Sequence, residues 1–296
     1  MTNEKNILAV QAEHQGLRLD RFLSLARPGL GLRAAKRLLA RGGVLVDGLA
    51  RSGLYKLRTG QTVEITTQDD GPEFPLPWLV QAGTDFVAFF KPPGLHTVRL
   101  AGSGGPSLED HLARLVPDRR VWLVNRLDNL TSGLVLGAFS QEAEGRFRDM
   151  ENHGRVEKRY LAVVPGLVDK PARLAWKLDT AGGSRVKVLL QEDADPLRWT
   201  WVRPLAGLGA ATLVEARIAK GARHQIRAHL AAFGHPIAGD PLYGYGPACG
   251  AVLYLHHYLA RLPGLTAKAA PDWPELKAEL EIIMNENQGG DACDSC

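Results

Sequence analysis

The sequence predicts an α+β protein: a mixed, largely antiparallel sheet carrying helices, preceded by a small α/β module. Three observations lead there. Apolar strands alternate with helical patterns too irregularly for a doubly wound parallel sheet. Residues 66–77, rich in Pro, Gly and acids, show no helix or strand period and read as a linker between residues 17–65 and 78–284. Charge is also unevenly divided. The 296 residues carry 36 Lys/Arg and 32 Asp/Glu, yet residues 1–64 alone hold 11 basic and 5 acidic residues. A basic head of net +6 on a body of net −2 fits either an appended nucleic-acid handle or a solvated Arg/Lys surface.

The elements follow in order. Leu17, Leu19, Phe22 and Leu23 suit one face of a short helix. Residues 32–39 form a second, with Arg33, Lys36 and Arg37 on its polar side. Val44–Val46 is a strand ending in an Asp47-Gly48 turn, and Thr62–Ile65 is a closing strand. Past the linker, Phe86–Phe90 reads as a buried strand. Ser107–Leu115 reads as a helix with Ser107 as cap and Pro117 beyond its end. Val121–Val124 and Leu134–Leu136 are strands around a polar loop, followed by a helix over Gln141–Met150. Further strands are expected at 159–164, 186–190, 199–202 and 212–218, and a helix at 223–233 that stops at Gly234. Residues 285–296 are polar and are expected to be a disordered tail.

Composition closes several doors. Hydrophobic residues make up 45% and charged residues 23%, enough for a folded core. No apolar run approaches the roughly 20 residues of a membrane span, and no signal peptide is visible. Three cysteines, Cys249, Cys293 and Cys296, cannot form a disulfide framework and point to a reducing, cytoplasmic setting. Gly102-x-Gly104-Gly105 follows no strand-to-helix context, and His224 and His229 are spaced five apart, which does not suit a zinc-protease helix. Cys293-x-x-Cys296 lacks a second ligand pair. His256 and His257 point to different faces and suit shared ligation poorly. No metal or cofactor site is expected.

Two segments could carry chemistry. Asn125-Arg126-Leu127-Asp128-Asn129-Leu130-Thr131-Ser132-Gly133-Leu134 lies between two apolar strands, so Asp128 sits at the rim of a buried sheet. A carboxylate there needs a partner to stay charged. Arg126 is near in sequence, and Thr131 and Ser132 have hydroxyls to donate. By itself the pattern equally describes an Asx- or Ser/Thr-stabilised turn. The second segment, residues 223–244, begins as a helix with Arg223 and Arg227 one turn apart near its positive end, a setting for anion capture.

Together these segments resemble pseudouridine synthases of the RluA type. That family's signature is His-Arg-Leu-Asp-x-x-Thr-Ser-Gly-Leu, and its hallmark Gly-Arg-Thr-His-Gln-Ile-Arg-x-His-Leu precedes Gly-His-Pro-Ile-x-Gly-Asp-x-x-Tyr-Gly. Lys91-Pro92-Pro93-Gly94-Leu95, Lys158-Arg159-Tyr160-Leu161-Ala162 and Leu255-His256-His257 match further family landmarks in order. Residues 17–65 resemble the RNA-binding module of small-subunit ribosomal protein S-four, through Arg18-Leu19-Asp20-x-Phe22-Leu23, Arg33-x-Ala35-x-Arg37, Gly43-Val44-x-Val46-Asp47-Gly48 and Gly60-x-Thr62-Val63. Leu32 departs from that module's usual Ser, and in the larger match Asn125 replaces the usual His and Ala222-Arg223 the usual Arg-Thr.

The resemblance implies an isomerase that turns uridine in RNA into its carbon-linked isomer, without cofactor or metal. The target nucleotide must be flipped out of its stack. Asp128, Tyr160 and Arg227 occupy the family's catalytic positions. Asp128 would attack ribose carbon 1 or take a proton from ribose carbon 2, Arg227 would pair with it, and Tyr160 would stack on the uracil and accept the carbon 5 proton. Arg18, Arg33, Lys36, Arg37, Arg126 and Arg223 are the candidate RNA contacts. Relatives with the head module make large-subunit ribosomal RNA the expected substrate. Transfer RNA and a non-catalytic ribosomal-RNA assembly role are the alternatives. No membrane partner is expected, and monomer is the family default.

Overall fold

A computed structural model describes residues 5–26, 35, 39, 44–47, 49–51, 53, 55–66, 76–99, 106–244 and 252–286. Most of the second basic helix, with Arg33, Lys36 and Arg37, lies outside these residues, as do Gly102–Gly105, all three cysteines, residues 67–75 of the expected linker and residues 287–296. The chain forms two compact units, Met1–Phe74 and Pro75–Cys296.

The first unit has a four-stranded antiparallel sheet in the order β1 (Lys5–Ala9), β4 (Thr62–Thr66), β2 (Val44–Val46), β3 (Leu49–Ala50). Helix α1 (Leu19–Ala26) packs on it through Leu19, Phe22 and Leu23, which meet Val44, Val46, Val63 and Ile65 in one core. Asp47 takes a left-handed φ of 50°, as a tight turn after β2 requires. Its carboxylate accepts from the Thr62 amide at 2.8 Å, tying that turn to β4.

The second unit is a ten-stranded sheet. Its strands are β5 (Trp78–Ala82), β6 (Phe86–Lys91), β7 (Trp122–Leu123), β8 (Ser132–Ala138), β9 (Glu157–Pro165), β10 (Ala172–Leu174), β13 (Thr200–Gly207), β14 (Ala211–Ile218), β15 (Leu255–Leu262) and β16 (Leu265–Lys268). The main path runs β10-β13-β14-β9-β15-β8-β6-β5, with β16 on β15 and β7 on β8. A separate hairpin pairs β11 (Trp176–Asp179) with β12 (Lys187–Glu192). Only the ladder between β8 and β15 is parallel among these strands, so the sheet is mixed and largely antiparallel.

Strand alternation sorts the side chains onto two faces. Val87, Phe89, Val135, Tyr160, Ala162, Val214 and Ala216 face one way, under helix α4 (Gln225–Ala232) through Ile226 and Leu230. The short α2 (Leu112–Leu115) packs at the margin of the same core. On the other face, Phe86, Phe90, Leu134 and Leu136 meet Phe147 and Met150 of α3 (Gln141–Asn152), while Leu161, Val163 and Leu213 meet Leu280 and Ile283 of α5 (Lys277–Glu286).

Several boundaries differ from expectation. Thr66 belongs to β4, and β5 begins directly after Pro77. The Ser107–Leu115 helix is a 3-10 turn, Leu108–His111, followed by one α-turn. Its polar start is closed by the Asp110 carboxylate, which accepts the Ser107 hydroxyl at 2.7 Å and the Ser107 amide at 2.9 Å. Asn285 and Glu286, assigned to the tail, complete α5. The helix expected from residue 223 starts at Gln225, because His224 adopts a left-handed φ of 53°.

Candidate active site

The loop between β7 and β8 carries Asp128, and a second loop, residues 92–97, holds it in place. Thr97 Oγ1 accepts from the Leu127 amide and donates to the Leu127 carbonyl, both at 3.0 Å. Asn129 Nδ2 donates to the Gly94 carbonyl, and the Gly94 amide donates back to Asn129 O, each at 2.8 Å. Beneath both loops the fully buried Lys91 points its ammonium at the carbonyls of Pro92, Leu95 and Asn129, at 2.9, 2.8 and 3.2 Å. Burial pulls Lys91 down to about 7 against the charge of Asp128, but all three N–H donors have an acceptor. While Asn129 O keeps the Gly94 amide, Lys91→Met takes the donor from the buried carbonyls of Pro92 and Leu95. It is expected to lower stability by about 3 kcal/mol and to slow catalysis by loosening the Asp128 loop. A lower urea midpoint with unchanged m-value is the check.

Arg227 reaches the loop from α4. Its Nη1 donates to Asp128 Oδ2 at 2.8 Å, while Nε and Nη2 grip Asp240 in a fork at 2.8 and 2.9 Å. Asp240 is in turn fixed by the amides of Leu242 and Tyr243. Burial opposes the Arg227 charge, but the bonds and charges of Asp240 and Asp128 outweigh it and raise its pKa. Asp240 is held below its ordinary value: burial pushes it up, and Arg227 and the two amides prevail. Gly239 makes this corner possible. It has a φ of 74°, and a Cβ there would lie 1.9 Å from the Val252 carbonyl oxygen.

Tyr160 lines the same cavity, of about 730 Å³, as Asp128 and Arg227. One face of its ring is covered by the His257 imidazole, stacked at 4.4 Å and 13°. Burial, reinforced by the charges of Asp128 and Glu151, pushes the phenol well above its ordinary range, so it is neutral. His224 also lines the cavity, with Nε2 3.7 Å from Asp128 Oδ2 and Nδ1 3.1 Å from the Tyr243 hydroxyl.

The other candidates are placed differently. Arg126 is exposed at the cavity rim. Arg223 and Arg227 diverge: Arg223 precedes the helix and donates to the carbonyls of Gly183 and Gly182 at 2.9 and 3.2 Å. Ala222, one of the two departures from the family pattern, donates its amide to Gln225 Oε1 at 2.9 Å and so helps start α4. Asn125, the other, accepts the Leu136 amide at 2.6 Å, while its buried Nδ2 lacks a partner among the described residues. Neither neighbouring hydroxyl serves the Asp128 carboxylate as expected. Ser132 pairs with His256 Nδ1 at 2.8 Å, and the buried Thr131 hydroxyl lacks a partner among the described residues. In the first unit, the exposed Arg18 is bound to Asp20 through Nη2 at 2.6 Å.

Sequence reasoning missed Asp240, Glu151 and Lys91 as contributors. Asp240 stood in the quoted Gly-Asp motif, yet nothing in its spacing says that it shares an arginine with Asp128.

Comparison with known proteins extends the geometry. Residues 85–232 match the family described as RNA pseudouridylate synthase. A protein of Chloroflexus aurantiacus, named an uncharacterized RNA pseudouridine synthase, is 29% identical over 96% of this chain and 94% of its own length. The Nitrosomonas europaea protein named ribosomal large subunit pseudouridine synthase D is 30% identical over 82% of this chain and 73% of its own. The solved structure of human RNA pseudouridylate synthase domain containing 1 matches with a TM-score of 0.54 at 22% identity, covering 74% of this chain and 97% of that one.

Proposed function

The chain belongs to the RNA pseudouridylate synthase family, an isomerase family, and we propose that it acts on uridines of large-subunit ribosomal RNA with Asp128 at the centre of the chemistry. The observation that carries this reading is the Arg227 guanidinium, forked onto the buried Asp240 and extended to Asp128 at the wall of the cavity that holds Tyr160. Asp240 anchors Arg227, and Arg227 aims one Asp128 oxygen while the other stays available. A flipped uridine entering the cavity meets that carboxylate at its sugar and the Tyr160 side chain at its base. Asp128 then attacks ribose carbon 1 or removes a proton from ribose carbon 2, releasing the uracil to turn and rebond through carbon 5.

The substrate class rests on the relatives named for the large ribosomal subunit, at 30% identity. In this reading residues 78–284 are the catalytic domain, and residues 17–65 are an S-four-like module that grips the RNA backbone. Arg18, Arg33, Lys36 and Arg37 in that module, with Arg126 and Arg223 in the catalytic domain, meet phosphates. The enzyme works as a single chain in the cytoplasm.

The test is tritium release from unmodified ribosomal RNA labelled at uridine carbon 5, comparing wild type with Asp128→Ala. Release by the wild type alone supports the reading. Equal release by both proteins removes Asp128 from the chemistry, and release from transfer RNA but not ribosomal RNA overturns the substrate assignment.

A further inference from the structure

Isomerisation leaves one proton to dispose of. Once carbon 5 bonds to the ribose it is tetrahedral and still carries its hydrogen. The C5–H bond must break, its electron pair closing the C5=C6 double bond. The C6=N1 pair then moves onto N1, which takes a proton from water. The proton that left carbon 5 needs an acceptor.

The groups already described fit that task poorly. Asp128 is committed to Arg227 and to the sugar. Tyr160 is a neutral phenol, able to pass a proton on but not to keep one. The Tyr243 hydroxyl accepts the Val186 amide at 2.7 Å and lies 3.4 Å from the Val186 carbonyl, to which it donates, and 3.1 Å from His224 Nδ1. Burial makes His224 a weaker base, and its Nε2 lies on the Asp128 side of the cavity, 3.7 Å from Oδ2.

Besides Asp128, the described cavity lining contains one further carboxylate, Glu151, in the last turn of α3. Lys158 Nζ donates to Glu151 Oε1, and Lys158 is itself 2% exposed. Glu151 Oε2 has no partner among the described residues. Lys158 and Tyr160 alternate around Arg159, so both project from the same face of β9, facing Ile218 and Ala216 of β14. Residues two apart on a strand are roughly 7 Å apart. The pair therefore stands one side-chain position from Tyr160, close enough for the Glu151 charge to act on the phenol.

We propose that Glu151, anchored by Lys158, accepts the proton leaving carbon 5, through the Tyr160 hydroxyl or a water beside it. The carboxylate becomes a carboxylic acid and returns the proton to solvent, so the net change is isomerisation alone. This rests on the Asp128 reading above.

The experiment is a single turnover on ribosomal RNA labelled at carbon 5, following both uridine consumption, by nuclease digestion and chromatography, and tritium release. In the wild type the two coincide. Glu151→Gln keeps the hydrogen bond to Lys158 and loses the proton acceptor. Its tritium release is expected to slow about 100-fold and to lag behind uridine consumption, with further slowing when carbon 5 carries deuterium. Glu151→Asp keeps a carboxylate and should recover part of the rate. Release by Glu151→Gln at the wild-type rate overturns the proposal. So does equal slowing of both steps without an isotope effect, in either variant, because that is the mark of a purely structural ion pair. Failure of the Asp128 reading shows separately, as undiminished uridine consumption in Asp128→Ala.

Discussion

Arg227→Ala is expected to lower the stability of the catalytic unit by about 4 kcal/mol and to slow turnover at least about 1000-fold. The two losses have different sources. Asp240 is 3% exposed and takes two of its hydrogen bonds from Arg227, so the variant leaves a buried carboxylate with only two amide donors. Asp128 is less buried and remains solvated, so its loss is one of aim rather than of folding. Arg227→Lys should fare only slightly better in catalysis. An ammonium is a point charge that cannot fork onto Asp240 and reach Asp128 at once. Asp128→Ala should show the opposite profile, with stability near wild type and chemistry absent. Urea unfolding and tritium release on the three variants check the split. Equal destabilisation by Asp128→Ala and Arg227→Ala would refute it.

The second large effect is acid sensitivity. His256 and His257 are both fully buried. Burial drives His256 down to about 4 against the pull of the Ala269 carbonyl, and His257 to about 3 against that of Leu134. Unfolded imidazoles titrate near 6.5. Between pH 6.5 and 4 the unfolded chain therefore binds up to two protons that the folded chain refuses, and stability falls as pH drops. The slope approaches about 2.7 kcal/mol per pH unit and vanishes above pH 7 for these two groups. His257→Phe keeps a ring against Tyr160 and removes one of the two protons. The slope of its stability against pH should be shallower by about 1 kcal/mol per pH unit between pH 6 and 5. A slope equal to that of the wild type would exclude His257 as a source.

The strands were readable where apolar runs were clean. β6, β8, β9 and β14 lie where alternation and β-branched residues put them, with ends shifted by a residue or two. β5 was hidden because Leu76-Pro77 extended the apparent linker up to Trp78. The meeting of Asp128, Tyr160 and Arg227 at one cavity was suggested by motif order, not by periodicity, since 99 residues separate Asp128 from Arg227. Side-chain direction was less legible. The spacing of Arg223 and Arg227 implies a shared helical face, but a single left-handed residue, His224, starts the helix late and sends them apart. Thr131 and Ser132 looked like donors to Asp128, yet the Ser132 hydroxyl serves a histidine 124 positions away. Glu151 could not be found from sequence because its link to the site runs through Lys158, across the turn from α3 to β9.

The position of β15 has a consequence for how this enzyme is made. That strand, residues 255–262, lies between β8 and β9, pairing parallel with the first and antiparallel with the second. It fits so closely that a Cβ on Gly133 would come within 2.3 Å of the His257 carbonyl oxygen. Chains emerge from their N-terminus, and non-local strand pairing is slow. Asp128 at the head of β8 and Tyr160 on β9 are therefore synthesised long before the strand that joins their halves of the sheet. A nascent chain stopped before residue 255 carries every proposed catalytic residue and no assembled site. Truncation within β15 should yield two unsealed sheet edges prone to aggregation rather than a weakened enzyme.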